Sequence, residues 1–82
     1  MTRDEMVAQI RAILSRMLAE QGKEVPVITQ ETYLIGERDL PIDSLDLAIL
    51  ITELEAVTQK DPFKEGFPEF RTVGDLAALY EE

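Results

Sequence analysis

The sequence predicts an all-α fold, a four-helix bundle with three main helices, a long first loop and a short irregular third helix. Three observations carry that reading. Apolar residues recur at spacings of three and four in three separate stretches, the period of a helix with one buried face. The stretches open on Thr2, Asp43 and Thr72, side chains that cap the free amides of a helix start. Gly22, Pro26, Gly36, Pro41, Pro62, Gly66 and Pro68 fall in the intervals between them, where turns belong. Eighty-two residues make one domain, residues 1–82, with a small core and no room for a deep enclosed active site.

The first helix is predicted over residues 3–21. Thr2 and Glu5 have capping-box spacing, and Asp4 and Glu5 suit the positive end of the helix dipole. Met6, Val7, Ile10, Ile13, Leu14, Met17 and Leu18 share one face, and Gly22 ends the run. From 23 to 41 the period is lost. A stretch of that length must be held down by its apolar residues, with Leu34 and Ile35 expected to lie across helix ends.

The second helix is predicted from Asp43 and Ser44 to about Gln59, with Asp43 as its N-cap. Leu45, Leu47, Ile49, Leu50, Ile51, Leu54 and Val57 are more apolar surface than one face needs, so the helix is either central or shows an apolar strip to a partner. Of Leu47, Ile49 and Ile51, two are expected in the core and one outside. Residues 61–70 are too rich in Pro, Gly and Phe for a regular helix; a single turn after Asp61 is expected, with Phe63, Phe67 and Phe70 packed inward. The last helix opens at Thr72 with Asp75 three residues on, carries Val73, Leu76, Ala77, Leu79 and Tyr80 on one face, and is expected to run nearly to Glu82.

Composition excludes several functions. Seventeen acidic against eight basic residues leave a net charge of −9, which repels nucleic acid and anionic lipid and favours a basic protein surface. The chain has no Cys and no His, hence no disulfide, no thiolate or imidazole metal ligand and no general base poised near neutral pH. No Asp-x-Asp-x-Asp-Gly calcium loop is present. No metal site and no catalytic residue is therefore expected. The charged start Met1-Thr2-Arg3-Asp4-Glu5 leads into no signal-like or membrane-spanning block, so a cytoplasmic monomer without stable membrane insertion is expected.

The informative segment is Asp43-Ser44-Leu45-Asp46-Leu47. A serine in the first turn of a helix puts its hydroxyl beside unpaired amides and the positive dipole end, a setting that favours a phosphodiester. Only Asp43 and Asp46 stand close in sequence, and both are poor bases for a hydroxyl, so activating groups must come from another protein. Asp39, Asp43, Asp46, Glu53 and Glu55 accumulate around this site with no Lys or Arg between residues 39 and 59, whereas Arg3, Arg11, Arg16 and Lys23 go with the first helix and Lys60, Lys64 and Arg71 follow the second. Such segregation would steer a basic partner toward Ser44. Taken alone, Ser44 also reads as an ordinary helix-start residue and the acidic cluster as a solvated face.

The segment resembles the acyl and peptidyl carrier protein family, in which an Asp-Ser-Leu triplet opens the second helix. Leu40-Pro41-Ile42 before it, Leu50, Leu54 and Glu55 after it, and Arg71-Thr72-Val73-Gly74-Asp75-Leu76 at the last helix extend the likeness over most of the C-terminal half. The resemblance implies that Ser44 carries a covalent 4′-phosphopantetheine arm, placed there from coenzyme A by a phosphopantetheinyl transferase. It implies a non-catalytic carrier of acyl thioesters in fatty-acid, lipid or secondary-metabolite biosynthesis. The expected docking residues are Asp43, Leu45, Asp46, Leu47, Ile49, Glu53 and Glu55, facing loading ligases, synthases and transferases with basic surfaces. Ile49 stands where many fatty-acid carriers have an acid, and residues 61–70 lack their acidic Ile-Pro-rich short helix, so a specialised bacterial carrier is expected. Two alternatives stay open: an aminoacyl, D-alanyl or peptidyl carrier loaded by an adenylating ligase, and an unmodified acidic adaptor.

Overall fold

The computed structural model describes residues 1–64, 66 and 68–81. Three helices form in them, α1 (Arg3–Glu20), α2 (Ser44–Thr58) and α3 (Val73–Tyr80). The all-α expectation holds, and the helix ends fall within two residues of those predicted; Glu82 lies outside the described residues.

Each helix opens on a complete capping box, pairing Thr2 with Glu5, Asp43 with Asp46 and Thr72 with Asp75. The cap oxygen accepts the amide three residues on, and the carboxylate there accepts the cap residue's own amide. Loss of such a cap typically costs about 1 kcal/mol. At the other end of α1, Gly22 turns left-handed (φ +73°). The Lys23 amide then bonds Leu18 O at 2.9 Å and the Gly22 amide bonds Ala19 O at 3.0 Å, the pair of bonds that closes a helix on a glycine.

All seven apolar residues predicted for the inner face of α1 are buried, each contributing about 1.5–3 kcal/mol. This helix packs against both α2 and α3, so α1 rather than α2 is the central element. Leu50 and Leu54 of α2 and Val73, Leu76, Ala77 and Tyr80 of α3 complete one hydrophobic cluster.

The first loop is pinned by Ile28, Leu34, Leu40 and Ile42, all buried, but Ile35 is 42% exposed, contrary to expectation. The reason is local. Tyr33 pairs with Thr72 as an isolated antiparallel bridge, and in extended backbone neighbouring side chains face opposite ways, so Leu34 inward puts Ile35 outward. Gly36 (φ +81°) and Glu37 (φ +52°) then turn the chain away.

Residues 61–64 form one turn, closed by the Lys64 amide on Asp61 O at 3.2 Å, the single turn expected after Asp61. Asp61 Oδ1 also accepts the Phe63 amide at 3.1 Å. Gly66 and Pro68 follow too closely for a helix to propagate. Phe70 is buried and meets half-buried Phe63 edge to face at 5.8 Å; Phe67, also expected inward, lies outside the described residues.

Candidate functional site

The start of α2 is built by its own capping box and by the end of α1. Asp43 Oδ1 accepts the Asp46 amide at 2.9 Å, and Asp46 Oδ2 accepts the Asp43 amide at 3.1 Å. The second oxygen of Asp46 accepts from Gln21 Nε2 at 2.9 Å, tying the C-terminus of α1 to the N-terminus of α2. Lys23 Nζ donates to Pro41 O at 2.8 Å and supports the approach to the helix. Hydrogen bonds from the Asp43 backbone and then from Gln21 hold the Asp46 carboxyl below its ordinary pKa, against the opposing cost of burial.

Ser44 is the first residue of α2 and is exposed. The chain's other serine, Ser15, is half-buried within α1. The Asp46 amide is taken by Asp43 Oδ1 and the Leu47 amide by Asp43 O. The first two amides of the helix, those of Ser44 and Leu45, come before any intrahelical bond and remain for solvent or an anion. An open groove of about 210 Å³ runs beside Ser44, walled by Leu34, Ile35, Gly36 and Glu37 of the loop and by Ile42, Asp43 and Leu47. An exposed hydroxyl, open amides and an adjoining groove with apolar walls fit a phosphodiester that continues into a flexible chain.

The predicted docking residues divide. Leu45 is 69% exposed and Ile49 41% exposed; with Ala48 and Thr52, also exposed, they form a stripe along α2. Leu47 and Ile51 are the partly buried pair that packs on the core, as the sequence required of two residues in that trio. Glu55 is exposed, and Asp43 is exposed while capping the helix. Asp46, in contrast, is buried, its two oxygens engaged inside the molecule, and is a positioning residue rather than a docking charge. Glu53 is half-buried and paired with Arg16.

The charge segregation seen along the chain is weaker in space. Packing of α1 on α2 brings Arg16 to Glu53 and places Lys23 near Asp46. Arg38, one residue outside the cation-free stretch, stacks over the Tyr33 ring at 4.3 Å. The remaining exposed acids near the site are Glu37 on the groove wall, Asp39, whose carboxylate accepts the Tyr33 amide at 2.8 Å, Asp43 and Glu55. Among the described residues no helix is long and apolar enough to cross a membrane, and no cluster of His, Cys, Asp and Glu is arranged to hold a metal ion.

No family model matches the sequence, and no curated protein matches it by sequence comparison. Among solved structures, the fold matches that of MacpD, an acyl carrier protein from Pseudomonas fluorescens involved in mupirocin biosynthesis, with a TM-score of 0.81 and 32% sequence identity. The match covers 95% of this chain and 69% of that one.

Proposed function

This chain belongs to the acyl carrier protein family, and we propose that it carries acyl intermediates as thioesters on a 4′-phosphopantetheine arm attached to Ser44. The observation that carries the proposal is the exposed Ser44 hydroxyl at the first turn of α2, beside open amides and the groove. The arm would supply the thiol that holds the cargo. The chain's own residues do the rest: Asp43 and Asp46 fix the helix start, and Leu34, Ile35 and Leu47 offer apolar wall to whatever extends from Ser44.

In this reading the protein is not an enzyme. Asp46, the buried carboxyl at the site, is held in its charged form by its hydrogen bonds and is a weaker base than an ordinary aspartate. Activation of the serine hydroxyl then falls to a phosphopantetheinyl transferase. Tethering raises the effective concentration of the cargo at each partner enzyme, and the Leu45, Ile49 and Glu55 surface is where loading ligases, synthases and transferases dock. Of the fatty-acid, lipid and secondary-metabolite pathways open to such a carrier, the similarity to a mupirocin-pathway protein and the apolar Ile49 favour secondary metabolism. The expected compartment is the cytoplasm.

The test is intact mass after incubation with coenzyme A, a divalent cation and a broad-specificity transferase. One arm per chain is expected for the natural sequence and none for Ser44→Ala. An unmodified natural chain, with a binding partner retained by Ser44→Ala, would instead support an acidic adaptor.

A further inference from the structure

We propose that Gly74 is a positioning residue for the groove beside Ser44: its missing side chain lets the first loop lie against the start of α3, and that contact sets the loop wall of the groove. The reading of Ser44 as an attachment point enters only in naming what the groove receives.

A Cβ on Gly74 would stand 3.1 Å from the Gln30 carbonyl oxygen and 3.3 Å from Gln30 Cβ, closer than ordinary van der Waals contact. The glycine has no left-handed backbone to justify it, since only Gly22 and Gly36 have positive φ among the described glycines; what it supplies is space. The same Gln30 carbonyl accepts the Gly74 amide at 2.9 Å, so it cannot retreat without stretching that bond. Three more contacts continue the seam. Val73 N donates to Thr32 O at 2.9 Å, Leu34 N donates to Arg71 O at 2.7 Å, and Tyr33 pairs with Thr72. Loop carbonyls thereby satisfy the first amides of α3, which a helix leaves unpaired.

The seam is stiff on the loop side. Buried Thr32 accepts the Thr29 amide on its hydroxyl at 2.8 Å and returns its own amide to Thr29 O at 3.2 Å. A displacement at Gln30 therefore carries along residues 30–34. Leu34, the last residue of the seam, is also the first of the groove wall, followed by Ile35, Gly36 and Glu37. The start of α3 thus sets a surface on the far side of the loop that it does not itself line.

The experiment compares the full natural chain with Gly74→Ala and Thr32→Val by two-dimensional amide NMR and hydrogen exchange, before and after treatment with coenzyme A and a transferase. Gly74→Ala is expected to shift the amide resonances of Leu34, Ile35, Gly36 and, across the groove, Leu47. It should speed exchange at the Leu34 and Val73 amides by about tenfold relative to Leu14, while the mass gain at Ser44 stays as in the natural chain. Thr32→Val, which removes the hydroxyl that accepts the Thr29 amide and keeps the Thr32 carbonyl that accepts the Val73 amide, should move the same resonances. Unchanged Leu34–Gly36 and Leu47 resonances in Gly74→Ala, or in Thr32→Val should Gly74→Ala not fold, overturn the proposal. Lack of any mass gain in the natural chain defeats the attachment reading alone, because the resonances still decide the role of Gly74.

Discussion

Asp46 shows how one residue near Ser44 does a different task from the one its charge suggests. Its carboxylate accepts the Gln21 side-chain amide and the Asp43 backbone amide at the meeting of α1 and α2, and truncation to Ala takes that acceptor from both donors. Asp46→Ala is expected to cost about 1–3 kcal/mol at neutral pH, measured by urea unfolding. The pH dependence follows from the same bonds. The carboxyls of Asp46 and Asp75 are held below the ordinary value of 3.8 by capping hydrogen bonds. Below that value the unfolded chain binds protons that the folded chain still refuses, so the stability these groups add is full above pH 3.8 and is lost as the pH falls through their lower folded values. Asp46→Asn should flatten that acid limb, an outcome read from melting temperatures between pH 5 and 2.

The role of Asp46 was open to sequence reasoning, since it stands three residues after its cap as Glu5 and Asp75 do after theirs. The acidic context of residues 39–55 points equally to docking, and burial separates the two tasks. The place of Ser44 at the start of α2 was legible, because the helix start fixes it and needs no knowledge of tertiary packing. Arg16 with Glu53 and Lys23 with Pro41 were not legible: both depend on how α1 lies across α2, which periodicity does not encode.

At the scale of elements, α2 has two apolar faces with different duties. Leu50 is fully buried, and Leu50→Ala is expected to cost about 2–5 kcal/mol. Leu45 and Ile49 lie outside, so Leu45→Ala and Ile49→Ala should change stability by no more than about 0.5 kcal/mol while slowing modification by the transferase. A large stability loss in the second pair would place them in the core and remove the docking stripe. Period and cap residues sufficed to locate all three helices, but the excess of apolar residues in α2 left open which face would be covered.

The end of α3 gives a prediction of opposite pH sign. Burial, reinforced by Asp61 and Glu55, pushes the Tyr80 phenol up to about 12, and its hydroxyl is buried with no hydrogen-bond partner among the described residues. Between the unfolded tyrosine value of about 10 and 12 the unfolded chain loses a proton that the folded chain keeps, so stability falls as pH rises through that window. Tyr80→Phe should keep the fold and remove this alkaline loss, as thermal melts from pH 9 to 12 would show. The irregular segment after Asp61 and its single turn were recognisable from the Pro and Gly content of residues 61–70.

For the molecule as a whole, one core organised by α1 holds a mostly anionic surface around a single exposed serine at the head of α2. A net charge of −9 should draw a basic partner and lose that advantage as salt shortens the Debye length from about 10 Å at 0.1 M to about 3 Å at 1 M. Stopped-flow association with a transferase is expected to slow steeply over that range, with dissociation changing less. A salt-independent association rate would assign docking to the apolar stripe alone.

In the proposed function Ser44 is acted upon and then carries an arm. Tandem mass spectrometry of the chain after treatment with coenzyme A and a phosphopantetheinyl transferase tests it most directly. A single phosphopantetheinyl group is expected, located on Ser44 and absent from Ser15. A group located on any other residue, or a folded natural chain that takes up none, would contradict it.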